Sequence, residues 1–389
     1  PGMTRRLYPA RLTGTVAAPP SKSAWHRELI CRFLAGQPLP QELSGADVSA
    51  TLSGLRVLRQ GGDAIDCGAS GATLRFLLPL AMALGRTGLH LTGTPRLLER
   101  PLSAPYPVAR ENAGYRITEP LTPGRYALRG DETSQTVSGL LMALPLLAEP
   151  SELVLTTPLV SRAYVDMTLD ALRRHGVTVL TTETGWRIPA SQVFQPDESP
   201  VEGDWSAGGW WLAANALQGG GVTVTNLPLH SSQPDRVITG YLQELPETVD
   251  VSQTPDLLPA LALLAAILFV VLRRHRTCKR RAAAFDGADR AAATAALFAY
   301  AMELMWHGGL HRENGSLLQQ DKAVSDWAGK PVDFPALVWL NAEARYSPHP
   351  ITETQRSQMR YFADDTLRCF RRKLKPWQKL YQKWILCMY

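Results

Sequence analysis

The spacing of apolar residues alternates, along roughly the first 266 residues, between patches typical of strands and patches typical of helices. Residues 153–157 and 177–182 are rich in β-branched side chains and predict strands. Between them, residues 163–175 carry apolar positions at helical spacing, and Gly176 stands where a helix commonly ends. The recurrence of a helix, a glycine and a Val/Thr strand predicts an α/β protein built from similar modules.

Three further segments extend this pattern. Residues 134–147 predict a helix that is small and apolar on one side, and residues 220–227 predict a strand after a glycine-rich turn. Residues 257–272 are apolar throughout and contain Pro259. Because a membrane span needs roughly 20 residues, this shorter segment is expected to form a buried core helix.

Composition and charge argue against several classes of function. Net charge is +6, and residues 341–389 hold ten Lys/Arg against four Asp/Glu, a surplus that equals the charge of the whole chain. The basic balance therefore indicates no nucleic-acid surface on the main body. Residues 1–10 lack a signal-peptide pattern, so a cytoplasmic location is expected. The cysteines show no metal-ligand or redox spacing; they are Cys31, Cys67, Cys278, Cys369 and Cys387.

Several helix starts carry residues suited to anions. Pro19 to Ser23 precede a predicted helix that contains Arg27, and a helix N-terminus with Lys22 beside it suits a phosphate. A serine cap with two solvated basic residues explains the same pattern. The small residues of 68–73 let a ligand approach the backbone, although a tight turn explains them equally well. Arg100 is followed by Pro101, which also fits a simple surface turn.

Two other segments offer neutral and acidic groups. Thr133, Ser134 and Gln135 open a helix with more hydrogen-bonding side chains than capping requires. Asp256 precedes the apolar helix, where it is either an ordinary N-terminal acid or a partly desolvated general base. None of these segments identifies a function by itself.

Taken in order, seven segments resemble the enolpyruvyl transferase family, and within it the shikimate branch. The family's P-G-S-K-S-x-x-x-R, G-N-A-G-T-x-x-R, R-P-[IM], G-D-x-S-S-Q, S-K-P-Y-[IV]-D, V-E-G-D-x-S and I-P-D-x-x-P are similar to segments 19–27, 68–75, 100–102, 130–135, 161–166, 201–206 and 254–259. The resemblance implies an inside-out α/β barrel of two domains made of βαβαββ units. It places residues 1–20 plus 201–389 in one discontinuous domain. The inserted domain, 21–200, would carry most of the shikimate 3-phosphate site.

The resemblance also implies roles for single residues. Transfer of an enolpyruvyl group from phosphoenolpyruvate to the 5-hydroxyl of shikimate 3-phosphate would use Asp256 as the proton acceptor, with Lys22 contacting both substrates. The residues implied for shikimate 3-phosphate are Lys22, Ser23, Arg27, Thr133, Ser134, Gln135, Ser161 and Asp256. Those implied for phosphoenolpyruvate are Lys22, Gly71, Arg100, Gln135 and Arg290. No metal, cofactor, nucleic acid or membrane is implied, and a monomer is expected.

The family pattern fails after about residue 266. Codons for residues 277–285, read one nucleotide later, can spell the family's N-A-G-R-L-R, so the C-terminal third is predicted to be read partly out of frame. Arg290 still matches, whereas Asp286 and Gly287 stand where the family has Lys and the acid/base Glu. We therefore expect poor order in this third and no activity for the chain as written. Two alternatives remain open: a non-catalytic anion-binding remnant of the same fold, and a UDP-N-acetylglucosamine enolpyruvyl transferase.

Overall fold

The computed structural model describes residues 11–102, 106–111, 113–244, 248–311 and 316–388. The chain forms two compact units, of which the first ends at Ala262 and the second is Leu263–Tyr389. This boundary lies close to residue 266, where the sequence motifs end.

The first unit mixes strands and helices, which confirms the predicted α/β class. Its strands are β1 (Gly14–Ala17), β2 (Ala64–Asp66), β3 (His90–Thr92), β4 (Val108–Glu111), β5 (Gly114–Ile117), β6 (Arg125–Leu128), β7 (Ser151–Leu155), β8 (Leu180–Thr181), β9 (Gly185–Ile188) and β10 (Val222–Thr225). Its helices are α1 (Lys22–Leu34), α2 (Ala46–Gln60), α3 (Gly71–Ala83), α4 (Pro95–Leu98), α5 (Ser134–Ala143), α6 (Arg162–Arg174), α7 (Trp205–Gln218) and α8 (Ile238–Gln243). Helix α9 (Leu258–Phe285) starts in this unit and continues into the second.

Two consecutive segments have the same βαβαββ order and the same sheet. One sheet has the order β2-β3-β5-β4 and the other β6-β7-β9-β8, and in each the first pair is parallel and the other two are antiparallel. The last strand of each repeat starts at a glycine, Gly114 or Gly185, where a Cβ would lie 2.0 Å from the carbonyl oxygen of Leu91 or Leu153. The repeated unit expected from the sequence is therefore confirmed in two copies.

The two repeats share one apolar core around helices α3 and α5. Leu77 on α3 and Leu140 on α5 are fully buried in it. The helices touch at Gly139, where a Cβ would lie 2.1 Å from the carbonyl oxygen of Arg75. This close contact requires glycine at that position, and it brings the N-terminal ends of two helices to the same side of the core.

Local expectations are mostly confirmed, with shifted boundaries. Helix α6 ends one residue before His175, and Gly176 follows with φ +73°, the left-handed conformation that favours glycine after a helix. The helix expected over 134–147 ends at Ala143 and continues as a 3₁₀ turn, Leu144–Leu146. Pro145 explains the change, since it lacks the N–H that an α-helix would use there.

The expectation that residues 257–272 form a buried helix is wrong. The segment is helical, but Leu258, Leu263 and Phe269 are 52%, 51% and 66% exposed. Residues Pro255–Phe285 are the one helix of the described chain that is long and apolar enough to cross a membrane, and such a single helix is weak evidence of a span. The expectation was drawn from the length of the apolar run, but the helix continues beyond it to Phe285, and an apolar run does not determine what covers it.

The second unit is helical throughout its described residues. Helix α9 is followed by α10 (Arg290–His307), α11 (Asp321–Ala328), α12 (Phe334–Tyr346), α13 (Glu353–Lys373) and α14 (Pro376–Leu380). These helices bury an apolar cluster that includes Leu297, Phe334 and Met359. The expected poor order is therefore wrong for residues 263–311 and 316–388.

Candidate functional site

Four helix starts of the first unit face one cavity of about 670 Å³. They are the starts of α1, α3, α5 and α6, whose cap residues are Ser21, Ser70, Thr133 and Ser161. Because each helix start presents unpaired N–H groups and a positive dipole end, the cavity is suited to anions. Its walls carry every residue predicted for the substrates from the first unit: Lys22, Ser23, Arg27, Gly71, Arg100, Thr133, Ser134, Gln135, Ser161 and Asp256.

Helix α1 supplies two cations in different environments. The Lys22 ammonium is exposed and pairs with the Asp47 carboxylate at 3.2 Å. Arg27 is only 4% exposed. Its Nε donates to Thr168 Oγ1 at 2.7 Å, and its two Nη atoms donate to the carbonyl oxygens of Ser23 and Tyr164, each at 2.6 Å. Lys22 is therefore the mobile charge of this helix, and Arg27 a fixed one.

Burial changes the proton affinity of Arg27 without removing its charge. Desolvation lowers the pKa of its guanidinium to about 10. The three oxygen acceptors around it stabilise the charged form by hydrogen bonding. A guanidinium has five N–H donors, and these three bonds leave two of them without a hydrogen bond among the described residues, on a side chain that lines the cavity. Arg27 can thus organise the site and contact an anion at the same time.

Three polar side chains converge on Gly71 at the start of α3. A Cβ at Gly71 would lie 2.8 Å from Arg75 Nη1, 3.0 Å from Gln135 Oε1 and 3.5 Å from Arg100 Nη1. Glycine at this position leaves the space between two guanidinium groups and an amide open. The nearest described side-chain atoms at this point belong to two cations and an amide and to no carboxylate, which suits a small polyanion.

Arg75 is the most important residue of this cluster that the sequence did not assign to a substrate. It is 5% exposed, donates from Nη1 to Gln135 Oε1 at 3.2 Å and from Nη2 to the Pro101 carbonyl oxygen at 2.9 Å. Burial, and secondly the charge of Arg100, lower the pKa of Arg75. It ends the segment that resembles G-N-A-G-T-x-x-R, and that terminal arginine was the available signal.

The starts of α5 and α6 contribute hydroxyl groups. Thr133 Oγ1 accepts the Gln135 N–H at 3.2 Å and caps α5, while Ser134 is buried beside the cavity. Ser161 has φ 53° and ψ 43°, a left-handed conformation that serine rarely adopts, and its side chain makes no capping bond. Ser161 lines the cavity, so its hydroxyl is not used to cap the helix and is available to a ligand there.

Asp256 lies in the short 3₁₀ turn Pro255–Leu257, at the edge of the cavity. Its Oδ2 accepts a hydrogen bond from the Tyr164 hydroxyl at 3.1 Å. Burial and the charges of Asp235 and Asp256 raise the pKa of Tyr164, so its hydroxyl stays protonated and donates. Among the described residues no hydrogen bond meets the other oxygen of Asp256, which a proton acceptor requires.

Arg290 belongs to the second unit, at the first position of helix α10. Its Nε pairs with Glu353 Oε2 at 3.2 Å. The cavity described above is lined by residues of the first unit alone. The assignment of Arg290 to phosphoenolpyruvate therefore stays a prediction.

One group of side chains in the described chain has the composition of a metal site. Ligand atoms of Glu28, His175 and Asp197 lie within 4.8 Å of one another. The Arg174 guanidinium already bonds both carboxylates, Glu28 through Nη2 and Asp197 through Nη1 at 2.6 Å. Since a protein cation neutralises these acids, the group serves as a buried ion-pair network behind α1.

The comparisons with known proteins agree with this geometry. A sequence model of the family described as EPSP synthase (3-phosphoshikimate 1-carboxyvinyltransferase) matches residues 58–258. The 3-phosphoshikimate 1-carboxyvinyltransferase of Clostridium kluyveri is 36% identical over 312 residues, which cover 67% of this chain and 73% of that protein. The enzyme of the same name from Methanocorpusculum labreanum is 32% identical over 309 residues and covers 66% and 73%.

Among solved structures, EPSP synthase from Acinetobacter baumannii is 19% identical, with a TM-score of 0.49 over 65% of this chain and 72% of that one. The assignment to a family depends on the sequence matches: the family model covers more than half of the chain and includes the cavity-lining residues from Ala69 to Asp256. The chain belongs to the EPSP synthase family.

Proposed function

We propose that the cavity of the first unit binds shikimate 3-phosphate and phosphoenolpyruvate, the two substrates that the family joins by enolpyruvyl transfer to the 5-hydroxyl with release of phosphate. The observation that carries this proposal is the convergence of four helix starts and of Arg75, Arg100 and Gln135 on one open space over Gly71. Both substrates are polyanions, so the main tasks of the site are neutralisation and alignment of charge. Relatives named for this reaction support the choice.

The roles follow from the surroundings of each group. Arg100, with no side-chain hydrogen bond in the described part of the chain, would hold the phosphoenolpyruvate anion beside Arg75. Ser134, Ser161 and the spare donors of Arg27 would hold the phosphate and hydroxyls of shikimate 3-phosphate. Lys22 would reach both ligands, since its ammonium is exposed and paired only with Asp47. The free oxygen of Asp256 would accept the proton of the attacking 5-hydroxyl.

We also propose that the chain crosses between two domains near residues 20 and 200. Support comes from the parallel pairing of β1 with β10 and from the bridge between Pro20 and Gly203. These contacts join the first described residues to the part of the first unit that follows residue 201, as a discontinuous domain requires. A cytoplasmic monomer is part of the same proposal, by analogy with a soluble biosynthetic enzyme.

Catalysis by this chain is proposed to be lost. Asp286 and Gly287 stand where the family has a Lys and its acid/base Glu, so the reaction lacks a cation and a proton donor. The functional state supported best is a substrate-binding site without turnover. Resequencing of the gene tests the frame hypothesis, which an intact frame encoding the same protein from residue 267 onward would contradict.

Calorimetry with shikimate 3-phosphate, with and without phosphoenolpyruvate, tests binding. We expect binding of shikimate 3-phosphate, and loss of any phosphoenolpyruvate effect in Arg100→Ala. Arg96→Ala is the matched control, because Arg96 is exposed on the neighbouring helix α4 and does not line the cavity. Heat from a UDP-sugar instead of shikimate 3-phosphate would favour the UDP-N-acetylglucosamine alternative.

A further inference from the structure

A second cavity, of about 280 Å³, lies behind the candidate site. It shares Lys22, Ser23, Tyr164 and Asp256 with the larger cavity, and it is also lined by Asp235. Asp235 belongs to the 3₁₀ turn Pro234–Val237, outside every motif recognised in the sequence. The shared wall means that a charge on Asp235 acts on anything bound next to Tyr164 and Asp256.

Asp235 is a buried carboxyl with one oxygen left over. It is 3% exposed, and its Oδ2 accepts the Ser206 hydroxyl at 2.5 Å. No hydrogen-bond partner meets Oδ1 among the described residues. An ionised carboxylate in such a place is costly, because burial penalises the charged form and an unpartnered oxygen cannot offset it. A proton on Oδ1 removes that cost.

The position of Asp235 is held firmly by its neighbours. Gln233, two residues earlier, accepts the Trp205 N–H at 3.1 Å and donates to Glu202 Oε1 at 2.6 Å and to the Gly203 carbonyl oxygen at 2.8 Å. Gln233 is itself buried. This network fixes the backbone that leads into the turn of Asp235, and the Ser206 hydroxyl holds the Asp235 carboxyl itself.

The charged and titratable groups that face Asp235 come from four elements. Helix α1 supplies Lys22, α6 supplies Tyr164, the cap of α7 supplies Asp204, and the turn at the start of α9 supplies Asp256. Burial raises the pKa of Asp235 to about 6, the bond from Ser206 opposes this rise, and the charges of Asp256 and Asp204 add to it. The carboxyl is thus poised to change charge near neutral pH.

We propose that Asp235 is a proton-binding residue of the site. Asp235 becomes fully protonated when a phosphorylated or carboxylated anion occupies the larger cavity. The inference rests on the proposed function. The added negative charge disfavours the ionised carboxyl, so one proton moves from solvent to Asp235 Oδ1 and no bond to the ligand is formed or broken. Asp235 does not touch the reacting atoms; it removes a negative charge that would repel a polyanion from Asp256 and Tyr164.

Calorimetry in buffers of different ionisation heats measures the proton count directly. With shikimate 3-phosphate, wild type is expected to take up more protons than Asp235→Asn between pH 6 and pH 8. The difference between the two proteins corrects for titration of the ligand's own phosphate, which occurs with both. At pH 8, Asp235→Asn is expected to bind about tenfold more tightly than wild type, since one unit of pKa corresponds to a tenfold effect. The two proteins should converge as pH falls below about 6, where Asp235 is protonated with or without ligand.

Two further variants show whether a change in proton uptake comes from Asp235 or from the substitution of any acidic side chain. Ser206→Ala keeps the carboxyl but loses the bond that favours its charged form, so its proton uptake at pH 7 should fall because Asp235 is already protonated. Glu119→Gln, an exposed acid remote from both cavities, should match wild type. Binding with equal proton counts in wild type and Asp235→Asn would overturn the proposal while leaving the proposed function intact.

An infrared titration of the ligand-free protein covers the remaining case. A protonated-carboxyl band should disappear as pH rises through about 6. The band should be missing in Asp235→Asn and should titrate at lower pH in Asp256→Asn, because a like charge has been removed. If calorimetry finds no binding, the proposed function fails. The infrared result is judged separately: a protonated-carboxyl band that disappears only in the ordinary acidic range of carboxyls would overturn the Asp235 proposal.

Discussion

The helices of the two units serve different purposes. In the first unit, four helices begin directly after a strand or turn, and those starts collect around one cavity. In the second, the described helices pack lengthwise around apolar side chains, and Arg290 at a helix start is paired with Glu353. An anion site of this kind therefore comes from aligned strand-to-helix junctions. A helical unit without described strands does not supply them.

The same contrast appears in how charge is treated. The first unit buries Arg27 and Arg75 near the cavity and leaves donors of both for a ligand. The second unit exposes many of its basic residues, for example Arg368 on helix α13 and Lys330 just after helix α11, which both pair with Asp365. Exposed pairs of this kind contribute roughly 0–1 kcal/mol and organise no site.

The largest expected effect is the absence of turnover. Binding is proposed for the first unit, whereas Asp286 and Gly287 are expected to stand where the family has a Lys and its acid/base Glu. Because each such group contributes several kcal/mol to a transition state, no phosphate release above background is expected in a steady-state assay. The Clostridium kluyveri relative serves as the positive control. Measurable turnover would show that the comparison overstates what the second unit lacks.

How far the sequence predicted this division depends on the kind of feature. The strand-to-helix junctions were predictable because capping residues and glycines are local signals. The exposure of Phe269 was not, since burial depends on what covers a helix. Nor was the convergence of Arg75 and Gln135 at 3.2 Å, which depends on the contact of α3 with α5 at Gly139.

Glu28 tests how strongly the buried ion pairs support helix α1. Burial by itself would raise the pKa of this carboxyl, but the bonds from His175 and Arg174 hold it below its usual value. Glu28→Gln leaves Arg174 with one carboxylate, so the free energy of unfolding should fall by about 3–5 kcal/mol. Denaturant titration at pH 7 measures this loss, with Glu119→Gln as the exposed control.

The pH dependence of the Glu28 effect has a definite sign. A carboxyl whose folded pKa is lowered adds stability that is fully present above its unfolded pKa and is lost as pH falls through the folded value. The gap between wild type and Glu28→Gln should therefore be constant near neutral pH and shrink in acid below the usual value of 4.5. A gap that widened in acid would show that Glu28 is not held as the carboxylate.

Gly139→Ala tests whether helix contact positions the anion site. The new methyl group would lie 2.1 Å from the Arg75 carbonyl oxygen, so α3 and α5 must separate, at a cost of about 1–3 kcal/mol. Because Arg75 and Gln135 are carried by these helices, affinity for the substrates should fall as well. Gly240→Ala is the matched control: it also lies in a helix, with nothing within 4 Å of its Cβ. Equal losses in both variants would contradict the positioning role.

The smallest expected effect is the change of Phe269 to alanine, and the same change at buried Phe76 is its counterpart in the first unit. Phe76 in α3 is 1% exposed and lies under the Arg27 guanidinium at 5.5 Å, so Phe76→Ala should lower the free energy of unfolding by about 3–5 kcal/mol. Phe269 in α9 is 66% exposed, and Phe269→Ala should change it by less than about 0.5 kcal/mol. Denaturant titration of both variants tests the pair. A large loss at Phe269 would mean that a covering surface exists in solution, and the helix would then be a core element as its apolar sequence suggests.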